Sequence, residues 1–178
     1  MIKYFAFLRA INVGGKNIIT MEELKKVFES LGLKNVKTYI QSGNVIFESS
    51  EKNQDVIIKK GEAAIHKRLG CDVPLFLRTE SEMAEIIKNE PFKKNKPASS
   101  TKLYFTFLRN EIKSIKKLPY QSEKKDVEII AIKNCDLYCL TKEINGRFGF
   151  PNNFVEKEFG VCATSRNWNT ITKIFSLT

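Results

Sequence analysis

The sequence has little of the chemistry on which most hydrolases and metalloenzymes depend. His66 is the only histidine among 178 residues, so no second imidazole is available for a catalytic or metal-binding pair. Cys135 and Cys139 are four residues apart and Cys71 and Cys162 stand alone, which is not the spacing of a zinc site. No cluster of Asp and Glu suggests a metal. We therefore expect neither a metal nor a cofactor, and the pattern argues against hydrolysis by a triad or by zinc.

Long hydrophobic runs are also missing. The apolar stretch Tyr4–Leu8 is only five residues long and is followed by Arg9, whereas a membrane helix needs about 18 apolar residues. Four cysteines in a chain of this length are too few for the disulfide framework of a small secreted domain. These two absences predict a soluble cytoplasmic protein with no membrane contact.

Positive charge is in excess and is concentrated in one segment. The chain has 30 Lys and Arg against 20 Asp and Glu, a net charge of +10. Residues 88–125 contain ten lysines and Arg109 against three glutamates. Such a segment attracts polyanions. The alternative is a lysine-rich face that only keeps the protein solvated, and lysine lacks the planar fork that favours arginine at phosphates and bases.

The first half of the chain predicts the element order β-α-β-β-α-β. Thr20 and Glu23 form a capping box for the first helix, Gly32 is its stop, and Ser42-Gly43 predicts a tight hairpin. The predicted strands cover residues 3–9, 36–41, 44–49 and 73–78, and the predicted helices cover 21–31 and 52–69. This order is that of a split βαβ or ferredoxin-like unit.

The second half predicts the same order again. Thr79 and Glu82 form a capping box for a connecting helix over 81–90, and residues 91–101 are predicted to be a flexible joint. The remaining predicted strands are 102–108, 126–133, 136–142 and 160–164, and the remaining predicted helices lie near 111–117, 152–158 and 168–176.

The two halves also share a short sequence match. Residues 4–9 and 104–109 agree at five of six positions, and each opens one cycle of elements. We therefore predict an α+β fold made of a tandem duplication of two βαββαβ halves plus a C-terminal helix. The halves are residues 1–80 and 81–178, which can pack as one compact unit.

This predicted topology brings two loops together as a candidate binding site. In a ferredoxin-like unit, the loop after the first strand and the hairpin between the second and third strands emerge at the same end of the sheet. The candidate ligand-binding residues in these loops are Arg9, Asn12, Gly14, Gly15, Lys16, Gln41, Ser42, Gly43 and Asn44. Two cations, several amide and hydroxyl groups and an accessible glycine backbone suit an anion or a polar edge.

A purely structural interpretation of the same loops is open as well. The glycines then only shape a turn, and the Asn and Ser side chains cap backbone groups. Gly14-Gly15-Lys16 does not have P-loop spacing, no Ser or Thr follows the lysine, and GxGxxG is absent. Acid–base chemistry by Lys16, Arg9 or a remote carboxylate is left open.

A second polar cluster precedes the last predicted helix. Its candidate residues are Thr164, Arg166, Asn167 and Trp168. Free N–H groups at a helix start can bind an anion, and the indole can stack on a ring. In the alternative, the run is an N-cap with Trp168 packed beneath it, together with Ile171, Ile174 and Phe175.

The motifs of the chain resemble a known family. RAINVGGKNIITMEELKKVFESLGLKNVKTYIQSGNVIFES (residues 9–49) is similar to the opening of the bacterial domain-of-unknown-function family 1697, and LRTESEM, NEPF and TSRNWNTITKI resemble its later motifs. The likeness covers nearly the whole chain. It implies an α+β architecture and the same two residue clusters, but no reaction, since the family has no settled activity.

Two positions depart from the family pattern. Ala10 stands where the family usually has Gly, which tightens the first loop. NGRFGFPNNFVEKEF stands where the family commonly has a Gly followed by a Ser-Lys pair, so no role resting on that pair carries over.

Three functions follow from these observations. The leading hypothesis is non-enzymatic binding of a phosphorylated small molecule or nucleic acid at the loops 9–17 and 41–44. The second is an enzyme acting on a small anionic substrate at the same loops. The third is a structural or interaction domain with no ligand. Nucleic acid is favoured by charge and by a ferredoxin-like sheet, although the RNP1 pattern is absent.

Overall fold

The protein is an α+β protein with two compact units. The computed structural model describes residues 1–89, 92–93, 99–115 and 117–177, and the units are Met1–Lys88 and Asn89–Thr178. The described residues form five helices and two antiparallel sheets. The predicted α+β class is confirmed. The predicted joint at 91–101 lies largely outside the described residues.

The first unit follows the predicted element order and ends with a helix. Its elements are β1 (Ile2–Leu8), α1 (Met21–Ser30), β2 (Lys34–Tyr39), β3 (Asn44–Ser49), α2 (Gln54–Leu69), β4 (Leu75–Thr79) and α3 (Glu80–Lys88). The capping box of Thr20 and Glu23 is formed, and α2 ends at Gly70 in the left-handed conformation. The second capping box is formed too, since Thr79 Oγ1 accepts from Glu82 N at 3.2 Å.

The sheet of the first unit has the order β2-β3-β1-β4, and all its neighbours are antiparallel. β1 lies between β3 and β4. Phe7 pairs with Asn44 of β3, and Leu8 pairs with Leu75 of β4. Three segments therefore meet at the same end of the sheet: the loop after β1, the hairpin from β2 to β3 and the chain entering β4.

One face of this sheet forms the core with α1 and α2. Tyr4, Ala6 and Leu8 alternate along β1 and are buried against this core, to which α1 contributes Phe28 and α2 contributes Ile65. Burial of each large apolar side chain contributes about 1.5–3 kcal/mol. Since this core anchors β1 and β3, the loops at their ends begin from fixed positions.

The second unit is richer in strands. Its elements are β5 (Thr101–Leu108), β6 (Tyr120–Gln121), β7 (Val127–Lys133), β8 (Asp136–Ile144), β9 (Arg147–Phe148), α4 (Pro151–Phe159), β10 (Ala163–Asn167) and α5 (Trp168–Phe175). The sheet order is β10-β5-β8-β7-β6, and β9 pairs with β8. Leu108, Ile129, Leu137 and Cys139 pack with Val155 of α4 in its core.

One prediction in this unit is wrong, and the bounds of another are displaced. Residues 111–115 and 117 are not helical, and Lys116 lies outside the described residues. Ile112 and Ile115 pack against the core without a helix, so packing decides the conformation there. The predicted strand near 160–164 begins three residues later, because α4 runs to Phe159 and ends at Gly160 with φ +65°. The short strands β6 and β9 were not predicted.

No helix in the described part of the chain is long and apolar enough to cross a membrane.

Candidate functional site

The loop after β1 and the β2–β3 hairpin lie side by side, as the topology requires. Leu8 N donates to Gly43 O at 2.8 Å, and Asn12 Nδ2 donates to Gln41 O at 3.0 Å. We call residues 9–19 and 40–44 the loop platform. Every candidate residue of the first cluster lies in it.

Gly14 and Gly15 form the outer turn of the platform. Both have positive φ, +60° and +74°, and Lys16 N donates to Val13 O at 3.1 Å across the turn. Two consecutive positive φ angles are the signature of a type I′ turn, for which glycine is preferred. Both glycines are exposed, so their backbone groups face solvent.

The side chain of Asn12 connects the two loops. Its Nδ2 donates both to Gln41 O and to Ile19 O, and its Oδ1 accepts from Ile19 N at 2.8 Å. The side chain therefore acts within the fold. Its hydrogen bonds hold the platform in shape.

Asn44 and Ser42 also serve the hairpin. Asn44 is 1% exposed, and its Nδ2 donates to Tyr39 O and to Ser42 Oγ, both at 2.9 Å. These bonds close the four-residue hairpin between Tyr39 and Asn44. For Asn12, Ser42 and Asn44, the structural interpretation of these polar residues is thus the one that the contacts favour.

Gly43 has a packing role that its turn position did not reveal. A Cβ placed on it would lie 2.7 Å from Ile11 Cδ1 and 2.9 Å from Leu8 Cβ, and its φ is +75°. Only glycine lets the hairpin approach the loop so closely. This position joins the two halves of the platform.

The backbone of the platform is strained at several residues. Ala10, Asn12, Asn17 and Ile40 all have φ between +48° and +55°. Asparagine tolerates this conformation, but a β-branched residue there is a genuine outlier. Strain of this kind persists only where surrounding contacts enforce it, and it concentrates at functional sites.

The side chains that the platform presents to solvent are cationic, polar and aliphatic. Lys16 and Gln41 are exposed and Arg9 is half-buried. Val13, Ile18 and Ile40 are 64%, 66% and 48% exposed. These three aliphatic residues are not among the residues that the sequence predicts for the site. No local signal separates them from the other β-branched residues of the same loop, which are buried.

The platform is also tied to the segment before β4. Arg9 N donates to Pro74 O at 2.9 Å, and Cys71 Sγ donates to Asn17 Oδ1 at 3.1 Å. Asn17 Nδ2 donates to Ala10 O at 3.0 Å. The first two contacts attach the loop after β1 to residues 71–74, which lead into β4, and the third closes the loop on itself.

The second cluster is partly buried in the sheet of the second unit. Thr164 and Arg166 face Phe107 and Phe105 of β5 and are 3% and 8% exposed. The guanidinium donates through Nη1 to Thr164 Oγ1 and to Ser165 O, both at 2.9 Å. Burial lowers the pKa of Arg166 to about 10, so the guanidinium stays protonated at neutral pH.

Asn167 and Trp168 have structural contacts of their own. Asn167 Oδ1 accepts from Asn169 N at 3.0 Å as the N-cap of α5. The Trp168 ring lies edge-on to Phe92 at 5.1 Å between centroids and is tilted on Phe105 at 6.4 Å. Both contacts agree with the N-cap interpretation of this cluster.

Every described lysine of the lysine-rich segment 88–125 is exposed. Lys94, Lys96 and Lys116 lie outside the described residues. Lys102 Nζ lies 3.9 Å from the centroid of the Phe148 ring, a cation–π contact.

Each unit also contains a cleft lined by other residues. One cleft of about 650 Å³ lies between α1, β2, β3 and α2. A second, of about 590 Å³, lies beside α4 and includes Arg147, Phe148 and Phe150. Neither cleft is lined by a residue of the loop platform. Among the described residues, no group of three His, Cys, Asp or Glu is arranged to hold a metal.

Comparisons with known proteins agree with the architecture. The model of the family "Protein of unknown function (DUF1697)" matches residues 1–138. The solved structure of the conserved bacterial protein SP0830 from Streptococcus pneumoniae is similar, with a TM-score of 0.67 and 20% identity over 98% of this chain and 97% of that one. At this identity the likeness concerns the fold alone. A comparison with curated proteins gave no significant match.

The loop motifs, the α+β architecture and the match over residues 1–138 together show that the chain belongs to the DUF1697 family, whose activity is unknown.

Proposed function

We propose that this protein is a non-enzymatic binding protein whose loop platform contacts a phosphorylated ligand, and that an extended single-stranded nucleic acid fits it best. The observation that carries the proposal is that one set of platform residues holds the backbone and a different set faces solvent. Asn12, Ser42 and Asn44 hold the backbone, while Lys16, Gln41 and three aliphatic side chains face solvent.

The side chains of the platform match the chemistry of a nucleic-acid strand. Arg9 and Lys16 supply positive charge for phosphates. Val13, Ile18 and Ile40 supply apolar surface for unstacked bases, and the Gly14-Gly15 backbone permits close approach. A long ligand that lies across a surface suits these outward-facing side chains better than a small one that needs enclosure.

A second function, docking of a protein partner, is favoured by one observation. Three large aliphatic side chains of the platform are about half exposed or more, and apolar exposure of this kind is typical of interaction surfaces. In this case binding is apolar in character and depends little on salt.

The two functions are separated by fluorescence anisotropy of a labelled single-stranded RNA at several salt concentrations. We expect binding to weaken as salt rises, since phosphate contacts release counterions. The Arg9→Ala, Lys16→Ala double variant should bind at least tenfold more weakly. Its plot of log affinity against log salt should be shallower by about 1.4, at about 0.7 per lost contact to a single strand.

Lys37→Ala is the matched control, because Lys37 is an exposed lysine of β2 outside the platform. It should leave the affinity unchanged. Equal affinity of the double variant and the wild type would overturn the proposal. RNA binding lost instead in a Lys124→Ala, Lys125→Ala variant would assign the binding to the lysine-rich segment.

We also propose that the two units arose by duplication. The four strands β10, β5, β8 and β7 lie in the same spatial order as β4, β1, β3 and β2. The pair β5 and β1 carries the match between residues 104–109 and 4–9. The second unit has a non-helical segment at 111–115 where the first has α1.

A cytoplasmic location is proposed as well, supported by four cysteines that are all free.

A further inference from the structure

The cleft of the first unit lies at the opposite end of the sheet from the loop platform. It is bounded by residues 31–33 between α1 and β2, the start of β2, the end of β3 and the first turns of α2. The register places Ile2 beside Ser49 at this end and Phe7 beside Asn44 at the platform end. The two sites therefore share a sheet but no residue.

Three lysines converge on this cleft. Lys34 comes from β2, Lys52 from the chain before α2, and Lys60 from the second turn of α2. All three are exposed, and none of their side-chain ammonium groups makes an ion pair or hydrogen bond with the described part of the chain. Their charges are therefore available to a ligand.

Two acidic residues lie near the lysines, and each accepts a hydrogen bond from a neutral donor. Among the described residues of the lining, Glu51 is the only acidic one, and its Oε1 accepts from Asn53 N at 2.8 Å. Glu48 faces Lys34 across the strands but accepts from Asn35 Nδ2 at 2.9 Å. The lining thus has three cations against one anion.

The floor of the cleft is apolar. Leu31, Leu33 and Val56 are half-buried there, and Ile57 is 4% exposed. A volume of about 650 Å³ is in the range of small-molecule sites. A cleft lined by both exposed lysines and apolar side chains matches a ligand with a negative end and an apolar body.

We propose that this cleft binds a small organic anion, of the class of a phosphate monoester with an aromatic or aliphatic group. Lys34, Lys52 and Lys60 hold the anionic end, and the aliphatic floor takes the organic group. The site is separate from the loop platform, so the protein has a small-molecule site as well as a surface for a larger ligand.

Phenyl phosphate is the probe for this site, followed by amide chemical shifts of the ¹⁵N-labelled full chain. We expect saturable shifts at Leu33, Lys34 and residues 52–57. Inorganic phosphate and phenol should each bind at least tenfold more weakly, because each lacks one half of the recognised chemistry. Absence of saturation at up to about 10 mM phenyl phosphate, a dissociation constant weaker than the millimolar range, would overturn the proposal.

The variants locate the site. Lys52→Gln with Lys60→Gln should weaken phenyl phosphate binding at least tenfold, whereas Lys59→Gln, a neighbouring exposed lysine of α2 outside the lining, should not. Equal weakening by all variants would show a diffuse charge effect and sink the proposal. Shifts centred on residues 13–17 would do the same, by assigning the anion to the platform.

Discussion

At the scale of single residues, the shape of the platform depends on a few side chains that act on the backbone. Asn12 makes three side-chain hydrogen bonds, of which the one to Gln41 O joins its loop to the hairpin, and Asn44 closes the hairpin from a buried position. The sequence analysis selected both residues for a ligand. Their types and positions were recognisable, but the acceptors they reach lie up to 29 residues away along the chain, so their roles were not.

Gly43→Ala should destabilise the protein by about 2–4 kcal/mol. The new methyl group would clash with Ile11 and Leu8, which overpacks the site. The residue must also keep φ at +75°, where a side chain adds left-handed backbone strain. Urea unfolding measures the loss. Gly14→Ala is the control, since only the strain of about 1 kcal/mol applies where a Cβ meets open space. Equal losses in both variants would contradict the packing role of Gly43.

Glu23 should give the first unit part of its acid sensitivity. The hydrogen bond from Thr20 N, followed by that from Arg68, lowers the pKa of Glu23 from 4.5 to about 2. A carboxyl with a depressed folded pKa stabilises the fold above pH 4.5, and this contribution is lost as the pH falls towards 2.

Glu23→Gln should therefore reduce the drop in melting temperature between pH 5 and about pH 2. Glu29→Gln is the comparison on the same helix, because Glu29 has only a surface pair with Lys25 at 3.7 Å. An unaltered pH profile of Glu23→Gln would show that this carboxyl is not linked to folding.

At the scale of elements, local signals defined the helices of the first unit better than those of the second. The capping boxes at Thr20 and Thr79 and the stop at Gly70 are short-range, and each is present in the structure. The segment 111–115 has apolar residues at a helical interval but packs them on a sheet core. Tertiary contacts override local propensity there.

Trp168→Ala should cost about 2 kcal/mol, and Trp168→Phe less than about 1 kcal/mol, because the half-buried ring packs edge-on against Phe92. Urea unfolding followed by circular dichroism measures both. The RNA affinity of Trp168→Phe should equal that of the wild type. A stable Trp168→Phe variant that no longer binds RNA would instead assign Trp168 to the ligand.

At the scale of the whole molecule, the chain holds four free thiols, one of them deep in the second core. Burial raises the pKa of Cys139 to about 12, whereas Cys71, Cys135 and Cys162 are half-buried. The raised pKa disfavours the thiolate of Cys139, and the thiolate is the reactive form.

Cys139 should therefore resist iodoacetamide in the native protein at pH 8 and react once urea unfolds the chain. Peptide mass spectrometry after a short pulse measures the modification at each cysteine. Reaction of Cys139 in native conditions at the rate of the other three would contradict its place in the core. Reductant should leave the melting temperature unchanged, since no disulfide is present.

The sequence by itself determined the α+β class, the helix caps and the family, because these depend on local pattern and on motifs. It also located the two loops, since the order of strands dictates which ends of a sheet meet. Only the tertiary structure decided which loop residues face solvent, as in Val13 and Lys16, and which brace the fold, as in Asn12 and Asn44. Burial and hydrogen-bond partners arise between distant segments, so no local pattern specifies them.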